Sequence, residues 1–414
     1  MTFYSSYCKL QKVINVEMSK EPLWTKNFII LSIVNFFLTL IFFLLNATIA
    51  AYAINEFNAS TSQAGLVAGI FIIGTLIGRL FIGRMINSTN PKTIIILGLS
   101  FYILTALLYF ADLGIGFLIL SRLLNGFTFG IAATVIGTVV AITIPKHRKG
   151  EGISYFAIST ALATGIGPFI GLFLSQRTSF QVIFSLCLIL GIISLFTVLF
   201  IKISIENTRN NANKPNRQGF KLSNFVEPKA IPISIIILTM ALCFSSVLSY
   251  INIYAFEIRL GSVASFFFVM YSAAVLVSRP FTGRLADRKG ANYIMYPAFF
   301  FFGIGMILLG STTNSVAFLL AGMIIGLGFG NITSIAQTIA ITTASPQRLG
   351  IATATFFIFF EIGAGLGPSL LGMFIPITGY PSLYKILGFV ILATSALYYF
   401  LHGKKESAKY KLKS

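Results

Sequence analysis

The chain has 414 residues, of which 56% are apolar and 10% charged, against about 25% charged side chains in a soluble protein. Thirty Lys and Arg against 11 Asp and Glu give a formal charge of +19. The bases lie in short gaps between apolar runs instead of clustering on polar stretches, which excludes a nucleic-acid binder and describes a membrane protein with positively biased loops. Cys8, Cys187 and Cys243 stand far apart with no CxxC or Cys/His pairing, so neither a metal centre nor a disulfide framework is expected, and no cofactor is called for.

Residues 1–27 are polar and mixed in charge, and read as an N-terminal tail with no cleavable signal. A membrane-crossing helix needs about 20 predominantly apolar residues, because each backbone N–H and C=O must be paired within the segment. Twelve stretches qualify in chain order: 28–54, 62–82, 93–111, 114–143, 153–175, 181–203, 231–255, 263–282, 294–311, 316–343, 351–375 and 383–401. Between the sixth and seventh, residues 204–230 are rich in Asn, Arg and Lys with prolines, and read as a solvated linker. The expected organisation is therefore an all-α membrane protein: a six-helix bundle at 28–203, the linker, a second bundle at 231–401, and a basic tail at 402–414. With the N-terminus inside, 24 bases fall on the cytoplasmic side and three, Arg177, Arg259 and Lys385, on the other. That bias places both termini in the cytoplasm of a multi-pass protein of the cell membrane. Arg79, Arg122 and Arg279 lie inside spans.

The chain repeats itself with a period of 200 residues. Arg79, Phe81, Gly83 and Arg84 align with Arg279, Phe281, Gly283 and Arg284; Gly126, Phe129 and Gly130 with Gly326, Phe329 and Gly330; Gly165, Gly167 and Pro168 with Gly365, Gly367 and Pro368. Apolar composition scatters Gly and Pro without register, so this is a duplicated six-helix unit. Parallel repeats about an axis along the membrane normal, with a site at mid-depth, describe one transporter architecture.

On these residues the chain resembles the major facilitator superfamily over about 28–401, and within it the drug and metabolite efflux type that exchanges substrate for protons. The loop motif GxLaDRxGRR is similar to Gly283-Arg284-Leu285-Ala286-Asp287-Arg288-Lys289-Gly290, and its first-half copy keeps Gly83 and Arg84 but carries Asn87 in place of the acid. The resemblance makes these residues a cytoplasmic gate, leaning on Asp287 more than on Asn87. Arg122 through Gly130 resembles the family's Arg-plus-glycine motif in the fourth span, linked there to proton movement or substrate binding; the alternative is an Arg that snorkels to the surface. Gly167, Pro168 and Gly171, and Gly367, Pro368 and Gly372, resemble the motif associated with exporters, and imply a bent, tightly packed seam between the halves.

Glu361 is the one carboxylate deep within a span, which makes it, with Arg122, the candidate for proton coupling. The resemblance puts the first, fourth, seventh and tenth helices around a central cavity, where Asn46, Asn125, Tyr250, Asn252, Tyr254, Asn331 and Gln337 are the polar and aromatic candidates. Arg79 and Arg279 are expected to snorkel toward the cytoplasmic surface; facing the vestibule instead, they favour an anionic substrate. The resemblance thus implies an exporter of small organic molecules, multidrug or dedicated to one metabolite such as a carboxylate chelator, acting as a monomer. A proton-coupled uptake permease and a transporter-like sensor without flux stay open. With His147 and His402 both in cytoplasmic segments, and no P-loop or catalytic triad pattern, no enzyme is expected.

Overall fold

The computed structural model describes residues 22–85, 90–145, 149–201, 226–345, 348–404 and 406. The tail before residue 22, most of the linker (202–225) and residues 407–414 lie outside them. Among the described residues there is no strand, and twelve helices are long and apolar enough to cross a membrane. They are α1 Lys26–Phe57, α2 Thr61–Met85, α3 Pro91–Leu107, α4 Ile115–Thr143, α5 Lys149–Ser175, α6 Phe180–Leu199, α7 Ile231–Glu257, α8 Gly261–Lys289, α9 Asn292–Leu309, α10 Ser315–Thr342, α11 Leu349–Gly372 and α12 Ile375–Tyr398.

Local chemistry sets several of the helix starts. Thr25 caps α1 by accepting the Phe28 N–H. Before α2, the Ser60 N–H donates to Gln63 Oε1 at 3.0 Å and the Gln63 N–H donates to Ser60 Oγ at 3.2 Å, a reciprocal cap that satisfies two otherwise orphan donors. Asn90 caps α3 ahead of Pro91, whose missing N–H costs nothing at a first helical position. Two irregularities were not visible in the apolar pattern. A π-helical turn interrupts α10 at Gly326–Gly330, and α12 begins at Ile375, before the expected 383, with a kink at Gly379 (φ +70°) ahead of Pro381. The polar and Gly/Pro residues of that kink dilute the hydropathy there, which is why the pattern alone starts the span later.

Two apolar cores form, one from each half. In the first, Leu31, Val34, Leu38, Leu44 and Ile49 of α1 pack with Leu99 of α3 and Val135 and Ile136 of α4; in the second, Ile236, Met240 and Val247 of α7 pack with Phe267, Phe299, Phe302 and Phe318. The halves meet along three helix pairs: α2 with α11, α5 with α8, and α1 with α7. At the α2–α11 crossing the backbones touch, because a Cβ at Gly69 would overlap the Gly365 carbonyl oxygen. Small residues at such a crossing replace the hydrophobic drive that lipid cannot supply with close van der Waals contact.

Candidate functional site: charged residues buried between the two halves

The hydrogen bonds that join the halves gather on the face opposite the termini, where α2 and α8 begin and α5 and α11 end. Thr61 Oγ1 donates to the Gly372 carbonyl at 2.7 Å, Ser62 Oγ to the Ser369 carbonyl at 3.3 Å, and Gln176 Nε2 to the Gly261 carbonyl at 2.8 Å. The Tyr250 hydroxyl donates toward two carbonyls, Thr61 at 2.8 Å in the other half and Pro368 at 2.6 Å in its own. Toward the termini face of α4, a Cβ at Gly137 would meet nothing within 4 Å. Thr134 and Thr138 flank Gly137 on α4, and Ser334, Gln337 and Thr338 occupy the corresponding stretch of α10; all but the exposed Thr338 are half-buried.

Two of the three arginines within spans are held by partners. Arg122 on α4 is 0% exposed, so it does not snorkel. Its Nε donates to the Val67 carbonyl at 3.1 Å and its Nη2 to Asn46 Oδ1 at 3.1 Å and the Ala68 carbonyl at 3.4 Å, with the Phe71 ring centroid 4.5 Å away. These partners are all neutral, and among the described residues Nη1 has no hydrogen bond. The first half therefore carries a fixed positive charge in low dielectric, an arrangement that persists only where surrounding dipoles offset its desolvation.

Arg79 does not snorkel to the surface as expected either. Its Nε lies 2.9 Å from Glu361 Oε1, an ion pair from α2 in one half to α11 in the other, and its guanidinium faces the Phe357 ring at 5.5 Å. The Glu361 side chain is 5% exposed and that of Arg79 33%. Side chains on a helix lean toward its N-terminus, so Arg79 reaches back along α2, away from the termini face. Glu361 Oε2 has no hydrogen-bond partner among the described residues. This pairing was missed at the level of sequence, although a signal existed: α2 and α11 each carry one embedded charge, of opposite sign.

The polar candidates spread over several environments. Asn46 accepts from Arg122. Asn125 turns to α3, donating to the Tyr102 carbonyl and Thr105 Oγ1 and accepting from the Tyr109 hydroxyl. Tyr250 closes the face opposite the termini, and Tyr254 donates to the Leu309 carbonyl among Tyr380 and Tyr384. Asn331 ties α10 to α8 by donating to Ser278 Oγ and accepting from Thr282. Asn252 is buried, its Oδ1 unpartnered among the described residues, and Gln337 is half-buried on α10. These placements follow from helix rotation, which composition does not encode.

The exporter-type glycines divide by helix face. Gly167 and Gly171 of α5 lie against Leu40 and Leu44 of α1, and Gly367 of α11 against Leu242 and Ser245 of α7, all within one half. Gly165, Gly365 and Gly372 face the other half, at Ser272, at Gly69 and Ile73, and at Thr61. Residues two apart on a helix point about 200° apart, so one motif serves both seams. Pro168 and Pro368 sit inside α5 and α11. Gly83 and Arg84 fall in the last turn of α2, and Gly283, Arg284, Asp287 and Arg288 in the last turns of α8; Asn87 lies outside the described residues.

Known proteins resemble this one in sequence and in fold. A multidrug resistance protein of Bacillus subtilis (Multidrug resistance protein 1) is 25% identical over 334 residues, 79% of this chain and 84% of its own. An uncharacterized MFS-type transporter of Methanocaldococcus jannaschii is 26% identical over 348 residues (82% and 89%), and the staphylopine export protein of Staphylococcus aureus 19% over 378 residues (86% and 92%). Among solved structures, a POT family transporter superposes with a TM-score of 0.75 at 16% identity, covering 91% of this chain and 96% of that one. A bacterial homologue of the lysosomal transporter Spinster superposes with 0.71 at 14%, covering 94% and 98%. The Major Facilitator Superfamily family model matches residues 31–368 and 261–414. Twelve spans, a duplicated half and an ion pair joining the halves are thus the parts of a multi-pass membrane transporter, not of an enzyme, and the chain belongs to the Major Facilitator Superfamily.

Proposed function

We propose that the protein exports small organic molecules across the cell membrane by proton antiport, with its termini-bearing face toward the cytoplasm. The bundle at 28–203 rocks against that at 231–401, and a single chain is the working unit. The observation that carries this reading is the Glu361–Arg79 pair, since it joins α11 of one half to α2 of the other. Protonation of Glu361 removes the charge that holds Arg79, so proton occupancy alters the energy of one relative position of the halves and not the other. A coupling ion acts through that kind of difference between states. Arg122 supplies a fixed positive charge in the same half as Arg79.

Export, rather than uptake, is supported by two relatives whose names describe multidrug resistance and staphylopine export, and by the glycine and proline motif on α5 and α11. The substrate enters from the termini face past Gly137, Thr134 and Gln337, once the cytoplasmic gate assigned to Gly83, Arg84, Asn87, Gly283, Arg284, Asp287 and Arg288 has opened. In proteoliposomes with an imposed pH gradient, Glu361→Gln stops concentrative export of ethidium while downhill exchange continues. Uphill export retained by that variant removes Glu361 from the mechanism, and proton-driven accumulation in the opposite direction by the wild type replaces export with uptake.

A further inference from the structure

The two crossings between the halves are related by the 200-residue repeat, yet their charges are not. At one, Gly365 of α11 meets Ile73 of α2; at the other, Gly165 of α5 meets Ser272 of α8, where a Cβ on the glycine would lie 2.7 Å from Ser272 Oγ. Moving toward the termini face, Arg79 follows six residues after Ile73 and Arg279 seven after Ser272, while Glu361 stands four before Gly365 and Ala161 four before Gly165. The 200-residue repeat sets Arg279 in the place of Arg79 and Ala161 in the place of Glu361, with the crossing at Ser272 displaced by one residue from that at Ile73. The aromatic neighbour is lost as well, because Ala157 stands where α11 has Phe357. Two large side chains on α11, a carboxylate and a ring, are replaced by two methyl groups on α5.

Arg279 nevertheless lies half-buried. Its side chain forms no ion pair among the described residues, and its Nε is buried without a hydrogen-bond partner. Ser272, 7% exposed, is two turns away on the same face of α8, and its Oγ is also without a partner. A guanidinium without an acid and a buried hydroxyl without a partner cost energy that a ligand recovers on binding.

The geometry points to a substrate subsite between α5 and α8 for an aryl monocarboxylate, whose carboxylate takes on Arg279 the place Glu361 takes on Arg79 and whose ring fills the space left by Ala157. Ser272 lies two turns further along the same face and meets the polar atoms of the substrate's other end. This subsite rests on the transport reading above and names the substrate class it serves.

The test uses the full chain in nanodiscs, with dansylglycine and its neutral analogue dansylglycinamide as fluorescent probes. The wild type binds the acid at least about tenfold more tightly than the amide, a charge-assisted bidentate contact being worth about that factor. Arg279→Gln brings the ratio to about one. Ala161→Glu installs the missing carboxylate, pairs with Arg279 and abolishes acid binding, in a variant whose unfolding temperature is not lowered. The inference is overturned by equal binding of the two probes to the wild type, by no binding of the acid, or by a preference for the acid that survives Arg279→Gln in a folded variant. Proton-driven export of ethidium by the wild type, measured separately, reports on the transport reading, so the two can fail independently.

Discussion

Removing the Tyr250 hydroxyl tests how the face opposite the termini is held shut. Tyr250→Phe keeps the ring, which lies 6.0 Å from that of Tyr380, and deletes the donor shared between the carbonyls of Thr61 and Pro368. Only the Thr61 bond crosses from one half to the other, so only that bond separates the closed state from one in which the halves part at this face. Hydrogen bonds between helices in membranes average about 0.6 kcal/mol and reach about 1.7. Losing one therefore shifts the closed-to-open ratio about 3- to 18-fold toward opening. Spin labels at Leu113 and Val316, both exposed at this face and one in each half, report the ratio by pulsed dipolar spectroscopy. Cys8 is replaced in that background, and Cys187 and Cys243 are buried. A long-distance population that grows less than twofold would refute the role given to Tyr250. Thr61→Val, which removes the donor to Gly372, is expected to move the ratio in the same direction.

Three further outcomes follow from the same packing. Gly69→Ala pushes a methyl group into the Gly365 carbonyl and is expected to cost about 1–3 kcal/mol, lowering the unfolding temperature in detergent; Gly137→Ala, with nothing within 4 Å, stays within about 0.5 kcal/mol. Asn46→Leu takes an acceptor from the buried Arg122 guanidinium and is expected to destabilise by about 1–3 kcal/mol, whereas the double variant with Arg122→Leu recovers part of that loss. In a double-mutant cycle on proton-driven export, Arg79→Gln and Glu361→Gln together are no worse than Glu361→Gln alone; additive losses would mean that the two residues act separately.

The membrane class, the twelve spans and the doubled unit could be read from composition and register, since a lipid environment demands long apolar helices and duplication leaves Gly, Pro and Arg in phase. Glu361 was recognisable as exceptional because a carboxylate in the middle of a span is costly wherever it points. Its partner was not, nor was the neutral cradle of Arg122, nor the turning of Asn125 and Tyr254 away from the middle of the molecule. Each of those depends on the rotation of one helix against another. Between helices in lipid, that rotation is set by the fit of small residues, as at Gly69 against Gly365 and Gly165 against Ser272, and not by which face is apolar, because nearly every face is. Hydropathy fixes how many helices cross and where; close contact between particular residues decides which charges meet and leaves Arg279 without the acid that its counterpart has.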